Sequence, residues 1–282
     1  MKKKICVILI AVLVAVLGTS TFFIIDHYKE SNKQAALYGE LAELVDAAAQ
    51  TDTATDPLER IPYSEEKMLL PELAELYQQN GDLVGWISIA DTNINYPVMQ
   101  SVNEPNFYLK HGFDKEYSDY GCPYVQEDCD VQEPSDNLVI YGHHMSNGSM
   151  FAHLEKFKNK DFWSEHRMIT FNILTDKQEY EIVAVFRTVV YTDSPEAFKF
   201  YRFIDAESAN EFDDFIAKSK ELSFYDTGVT AEYGDKLITL STCEYSRNNS
   251  RLVVVAKRIT EDGGADAAKT HAEATAEGER PN

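Results

Sequence analysis

Three residues stand where apolar runs end, and together they could do nucleophilic chemistry. Leu237 to Leu240 lead into Thr242-Cys243; a seven-residue polar loop (EYSRNNS) follows, and Arg251 opens another apolar run. If the two runs pair as antiparallel strands, Cys243 and Arg251 meet at one rim, where cross-strand neighbours sit about 5 Å apart. A free thiol of pKa about 8.5 is only a few per cent ionised at neutral pH. A fixed cation beside it favours the thiolate or stabilises an oxyanion formed in the reaction. His143 ends a third run, NLVIYGHH. Its ordinary pKa near 6.5 suits it to carry a proton at physiological pH. Taken singly, each residue has a plainer reading. A cysteine after a strand packs as a small hydrophobe, a strand-start arginine is a surface charge, and a strand-end histidine is structural. The combination is more specific than its parts.

The elements that must hold these residues are legible as alternating apolar runs. Trp86 to Ile89 and Ile94 to Met99 flank an Asp-Thr-Asn turn and predict a hairpin. Asn137 to Gly142, Met168 to Leu174, Glu179 to Tyr191, Lys236 to Cys243 and Arg251 to Ile259 read as further strands. Pro71 to Gln79 predicts a helix opened by its proline and stopped by Asn80-Gly81. Ser149 to Phe157 predicts a short helix. Ser208 to Phe224 predicts a longer one, with Ser208 and Glu211 as a capping box and Phe212, Phe215, Ile216 and Leu222 on one face. Many strands with few helices imply a mainly β barrel or sandwich with helical decoration.

The amino terminus sets the surroundings. Residues Ile5 to Ile25 carry no charge, and at about 1.5 Å per residue they span the roughly 30 Å of a bilayer's hydrocarbon core. Lys2, Lys3 and Lys4 precede this run and keep the amino terminus cytoplasmic, with everything from Asp26 outside. A cleaved signal peptide would have a shorter apolar run and a small-x-small site; Leu17-Gly18-Thr19-Ser20 is a poor one. The expected organisation is a cytoplasmic tip over 1–4, a transmembrane signal anchor over 5–25, an extracellular stalk over 26–60, a folded domain over 61–260 and a disordered acidic tail over 261–282.

Composition excludes several functions. The 282 residues include 26 Lys+Arg against 47 Asp+Glu, a net charge of −21, which disfavours a nucleic-acid binder. Four cysteines are too few for a disulfide scaffold. Cys122 and Cys129 could close a loop disulfide or stay unpaired. His143, His144 and His153 lack a carboxylate or cysteine at ligand spacing, and consecutive strand residues face opposite ways, so a metal site is disfavoured. No glycine-rich phosphate loop or dinucleotide fingerprint occurs, so no cofactor is expected. Asn147-Gly148-Ser149 and Asn248-Asn249-Ser250 match the glycosylation pattern but are explained equally by turn chemistry.

With these residues in view, the sequence resembles the sortases. Leu240-Ser241-Thr242-Cys243, with Arg251 eight positions on, is similar to their TLxTC signature followed by arginine. Val139 to Met145 (VIYGHHM) is similar to the segment carrying their histidine. Matching segments run in order from Leu70 to Arg258 through Gly85-Trp86-Ile87, Tyr96 to Gln100, Phe107 to His111 and Met150-Phe151. Several details, including the long helix before the cysteine strand, resemble class B sortases. The resemblance implies an eight-stranded β-barrel with N-terminal helices and one long inserted helix before the cysteine strand. It implies a membrane-anchored cysteine transpeptidase that cleaves a C-terminal sorting signal of secreted proteins through a thioester. The acyl group then passes to a peptidoglycan precursor or cross-bridge amine. Cys243 would be nucleophile, His143 (which directly follows the glycine) acid/base, and Arg251 the oxyanion or substrate-positioning group. Leu109, Tyr141, Ser241, Thr242 and Glu244 would line the peptide groove. A surface peptidase with water as acceptor, or a non-enzymatic binding module, are the competing readings. The pilus-building class is disfavoured: Asp56-Pro57 is followed by Leu58 rather than an aromatic residue, and no second apolar run of membrane length follows the first. One segment departs from the family: Gly121 to Gln126 lacks the acid expected at its end, and the nearest carboxylates are Glu127 and Asp128.

Overall fold

A computed structural model describes residues 2–51, 62–64, 67–190, 197–244 and 249–260. The expected tail over 261–282 and stalk residues 52–60 lie outside these. Eight strands form the core: β1 (Leu83–Ser88), β2 (Asn95–Met99), β3 (Tyr124–Val125), β4 (Asn137–Tyr141), β5 (Met168–Ile173), β6 (Glu179–Val189), β7 (Leu237–Glu244) and β8 (Ser250–Arg258). They close into a barrel in the order β1-β2-β3-β4-β7-β8-β6-β5. Most neighbours are antiparallel; β2–β3 and β4–β7 are parallel. The expected β1–β2 hairpin forms, with Ile89 N–H donating to the Ile94 carbonyl at 3.0 Å. β3 is only two residues long, too short to carry a periodic signal.

Branched and aromatic side chains pack on both faces of the barrel wall. Val139, Ile140, Leu240, Val253, Val254 and Phe171 are all fully buried. Runs with no polar alternation, such as Leu252 to Ala256, belong here because helices and loops cover the outer face.

Among the described residues four α-helices decorate the barrel: α1 (Lys2–Thr51), α2 (Pro71–Gln79), α3 (Lys160–Glu165) and α4 (Ala209–Leu222). Where the sequence suggests one helix over 149–157, the structure has a 3-10 helix over Phe151–Lys158 followed by α3, capped by the Asn159 side chain. α4 lies between β6 and β7 and buries Phe212, Phe215 and Ile216. Phe215 stacks on Phe203 with centroids 4.1 Å apart. Its capping box is shifted: Ser208 Oγ accepts from Glu211 N–H, but the Glu211 carboxylate accepts from Glu207 N–H at 2.9 Å.

α1 is continuous, about 75 Å long at 1.5 Å per residue. Among the described residues, its Val12–Gln50 stretch is long and apolar enough to cross a membrane. Side chains such as Leu13, Phe22 and Ile24 in its first half are exposed. The second half, inside the expected stalk, instead packs on the domain: Tyr38, Leu41 and Val45 join the core, and Tyr38 O–H donates to the Gly121 carbonyl at 2.7 Å. The 3.6-residue spacing of these three residues gives the helix one buried stripe, so this half is docked rather than free-standing.

Gly85 shows how closely β1 and β5 approach. A Cβ there would lie 2.4 Å from the Asn172 carbonyl oxygen and 2.8 Å from the Phe171 ring. Backbone cannot yield as a side-chain tip can. Gly85→Ala is expected to destabilise the fold by about 1–3 kcal/mol, the usual range for overpacking. Denaturant unfolding of the full chain in detergent checks this; an unchanged midpoint would contradict the close approach.

Candidate active site

The strand registers assemble the site. β4 runs parallel to β7 with Tyr141 opposite Ser241 at the end of the ladder, and His143 and Cys243 each stand two residues beyond that pair. β7 pairs antiparallel with β8, and Cys243 lies directly opposite Arg251. The pairing anticipated from the two apolar runs is thus the one formed. All three residues line one cleft of about 290 Å³. A larger cleft of about 660 Å³ lies among Tyr63, Val102 and Asp130, and none of the three lines it.

Gly142 fixes the approach of His143. A Cβ on Gly142 would sit 2.5 Å from the buried Phe151 ring, so only glycine lets the chain pass. Beyond it, the His143 Nε2 lies 2.7 Å from the Leu109 carbonyl. A carbonyl oxygen only accepts, so Nε2 carries the proton and Nδ1 is the nitrogen left to exchange one. Burial lowers the His143 pKa, and the Lys110 and Arg251 charges push it the same way; the Leu109 bond and Asp119 oppose them. Arg251, half-buried, donates from Nη1 to the Ser250 carbonyl at 3.1 Å.

Leu109, Tyr141, Ser241 and Thr242 also line the cleft. Glu244 ends β7; its side chain lies outside the described residues. The Ser241 and Thr242 hydroxyls are buried and have no hydrogen-bond partner among the described residues. An unmet buried hydroxyl costs about 1–3 kcal/mol.

Sequence reasoning missed several lining residues. Tyr124 O–H donates to Asn106 Oδ1, and Tyr141 O–H donates to Gln126 Oε1, both at 2.8 Å. Asn106 adopts a left-handed backbone at φ 61°, a conformation asparagine tolerates better than most residues. Nothing local in the sequence ties it to the cleft. Glu127 reaches the cleft, so the departure at Gln126 moves the acid by one residue rather than removing it. Tyr201, on a short 3-10 helix (Phe200–Arg202), carried no signal at all.

Cys122 and Cys129 are unpaired, not a loop disulfide. Both are buried. Burial raises the Cys122 pKa strongly and pushes that of Cys129 up to about 12, so both are neutral packing groups near neutral pH.

A half-buried cysteine, a histidine and an arginine are gathered at one rim of a closed barrel, an arrangement with the residue types that cysteine acyl transfer uses. Comparison with known proteins gives the particular family. The sortase domain matches residues 87–259. Sortase B of Listeria monocytogenes is 35% identical over 193 residues, covering 67% of this chain and 74% of that protein. Sortase B of Staphylococcus aureus is 26% identical over 254 residues, covering 89% and 94%. The solved Staphylococcus aureus sortase B–substrate complex superposes with a TM-score of 0.70 at 26% identity, over 83% of this chain and 99% of that one. Sortase B of Bacillus anthracis in complex with AAEK1 gives 0.67 at 27% identity, over 83% and 100%. The chain belongs to the sortase family and is a sortase-type cysteine transpeptidase of the class B kind.

The lowered His143 pKa has a linkage consequence. Its folded value lies below the ordinary 6.5, so between the two values the unfolded chain holds more protons. The stability this residue contributes is therefore present above pH about 6.5 and lost as pH falls through its folded pKa. A ring titration by NMR with labelled histidine is expected to place the His143 midpoint below 6.5. A midpoint above that value would contradict the burial and cation effects.

Proposed function

We propose that this chain is a membrane-anchored transpeptidase acting on a C-terminal sorting signal of secreted proteins. The Cys243 thiol passes its proton to His143 as the sulfur attacks the scissile carbonyl, the carbon–nitrogen bond breaks, and the leaving amine takes that proton from His143. An amine of a cell-wall peptide then attacks the thioester, and its proton passes through His143 to the departing sulfur as the new amide forms. Arg251 stabilises the oxyanion or positions the peptide from the facing strand. The observation that supports this reading is that Cys243 pairs with Arg251 and that both share one cleft with His143. Leu109, Tyr141, Ser241, Thr242 and Glu244 form the peptide subsites, supported by the place of the first four in the lining of the cleft. Related structures agree in kind: one is a sortase B–substrate complex and another a sortase B complexed with triglycine.

The apolar run over 5–25 is the single-pass anchor, with residues 1–4 cytoplasmic and the catalytic domain over 61–260 outside the cell. Without the three cytoplasmic lysines the remainder has 23 basic against 47 acidic residues. Such a surface repels anionic headgroups and keeps the domain off the bilayer.

The full chain in detergent, incubated with sorting-signal peptides and with or without an amine, is expected to give amide product that Cys243→Ala abolishes. Arg251→Ala is expected to lose on the order of a hundredfold in kcat, as when an oxyanion donor is deleted. Cleavage indifferent to added amine would replace transfer with hydrolysis, and full activity in Arg251→Ala would remove that residue's role.

A further inference from the structure

We propose that His144, the neighbour of the acid/base histidine, is a positioning residue that holds the nucleophile through its backbone; this rests on the reading of Cys243 as nucleophile. In the parallel β4–β7 pair, alternate residues of β7 turn their carbonyls toward β4. Gly142 N–H donates to the Ser241 carbonyl at 3.1 Å, so the next carbonyl facing that way belongs to Cys243. The β4 ladder has ended by then. The chain turns away over Phe151, whose N–H bonds the His143 carbonyl at 2.8 Å, and His144 bridges Met150.

The imidazole supplies what the ladder no longer does. His144 Nδ1 lies 3.0 Å from the Cys243 carbonyl oxygen. The oxygen can only accept, so Nδ1–H donates, and protonation at Nε2 leaves that donor in place. The ring is 19% exposed; Glu155 Oε1 lies 3.9 Å from Nδ1, and Lys158 holds the other Glu155 oxygen at 2.6 Å. Successive residues of an extended chain point to opposite sides, so His143 reaches the Leu109 carbonyl while His144 reaches Cys243.

This one bond constrains more than a carbonyl. The peptide between Cys243 and Glu244 is planar and trans, so fixing its oxygen on the β4 side directs the Glu244 N–H toward β8. It also sets the backbone from which the Cys243 side chain projects. β8 holds the end of β7 through the Cys243–Arg251 pair, and His144 holds it from the other side.

The test compares His144→Ala with His144→Asn in the full chain in detergent. The asparagine Nδ2 places an N–H about where Nδ1 stands. His144→Ala is expected to lower kcat for amide formation on the order of tenfold, the worth of one hydrogen bond, with little change in KM. His144→Asn is expected to restore most of it. The carbonyl 13C resonance of selectively labelled Cys243 is expected to move in the alanine variant and return in the asparagine variant. That readout needs no substrate, so it separates failure of this proposal from failure of the transpeptidase reading. A wild-type kcat or an unmoved resonance in His144→Ala would overturn the proposal, as would an asparagine variant no better than alanine. Should His144→Ala not fold, His144→Asn decides alone: retained kcat and carbonyl shift support positioning, and loss of either overturns it.

Discussion

Everything at the active site depends on the parallel pairing of β4 with β7. It joins residues 100 positions apart, Asn137 to Leu237 and onward to Tyr141 and Ser241. Closing a loop of that length costs on the order of 4 kcal/mol beyond a constant. Five fully buried side chains on the two strands, Leu138, Val139, Ile140, Ile238 and Leu240, each contribute about 1.5–3 kcal/mol. Burial outweighs closure even after allowing for compactness of the unfolded chain. The pairing is also intolerant of slippage. A shift of one residue would turn Thr239 and its bond to Asn137 out of register and carry Cys243 away from His143.

How much of this was written in the sequence follows from contact range. Cys243 and Arg251 belong to one hairpin, so two local apolar runs and a short loop sufficed to pair them. α4 was similarly legible because its stripe and its cap are local. The β4–β7 partnership was not, since nothing in NLVIYG or KLITL says which other strand it will choose; family resemblance, not periodicity, pointed there. The polar lattice behind the cleft was hidden for the same reason. Tyr141 and Gln126 are 15 residues apart, Tyr124 and Asn106 are 18 apart, and neither pair has a spacing that marks it. The docking of α1 was missed because an Ala- and Glu-rich stretch reads as solvated until the barrel gives Tyr38 and Leu41 something to pack against.

The electrostatics of the cleft run against the chain as a whole. A molecule of net charge −21 gathers Lys110 and Arg251 close enough to His143 to lower its pKa, while the anion that opposes them, Asp119, is itself held by Lys110 at 2.8 Å. Local geometry decides here, because exposed charges beyond about 10 Å are screened at ordinary ionic strength. The acidic exterior therefore leaves the proton inventory of the cleft largely untouched and acts on solubility and on approach to the membrane instead.

The two adjacent histidines illustrate how one strand end can serve two tasks. The β4–β7 ladder makes its last bond from Gly142 N–H to the Ser241 carbonyl, where the Phe151 ring packs in the space a Cβ would fill, and the chain leaves the sheet beyond it. Leaving the sheet frees His143 to enter the cleft, but it also strips β7 of its next backbone donor. A residue at 144 whose side chain can donate makes good that loss at the Cys243 carbonyl. A continued β4 strand would have supplied the donor from backbone and kept the residue at 143 flat against the sheet. The break in the ladder thus sets His143 in the cleft, and the second imidazole, on the role proposed for it, ties Cys243 across the break.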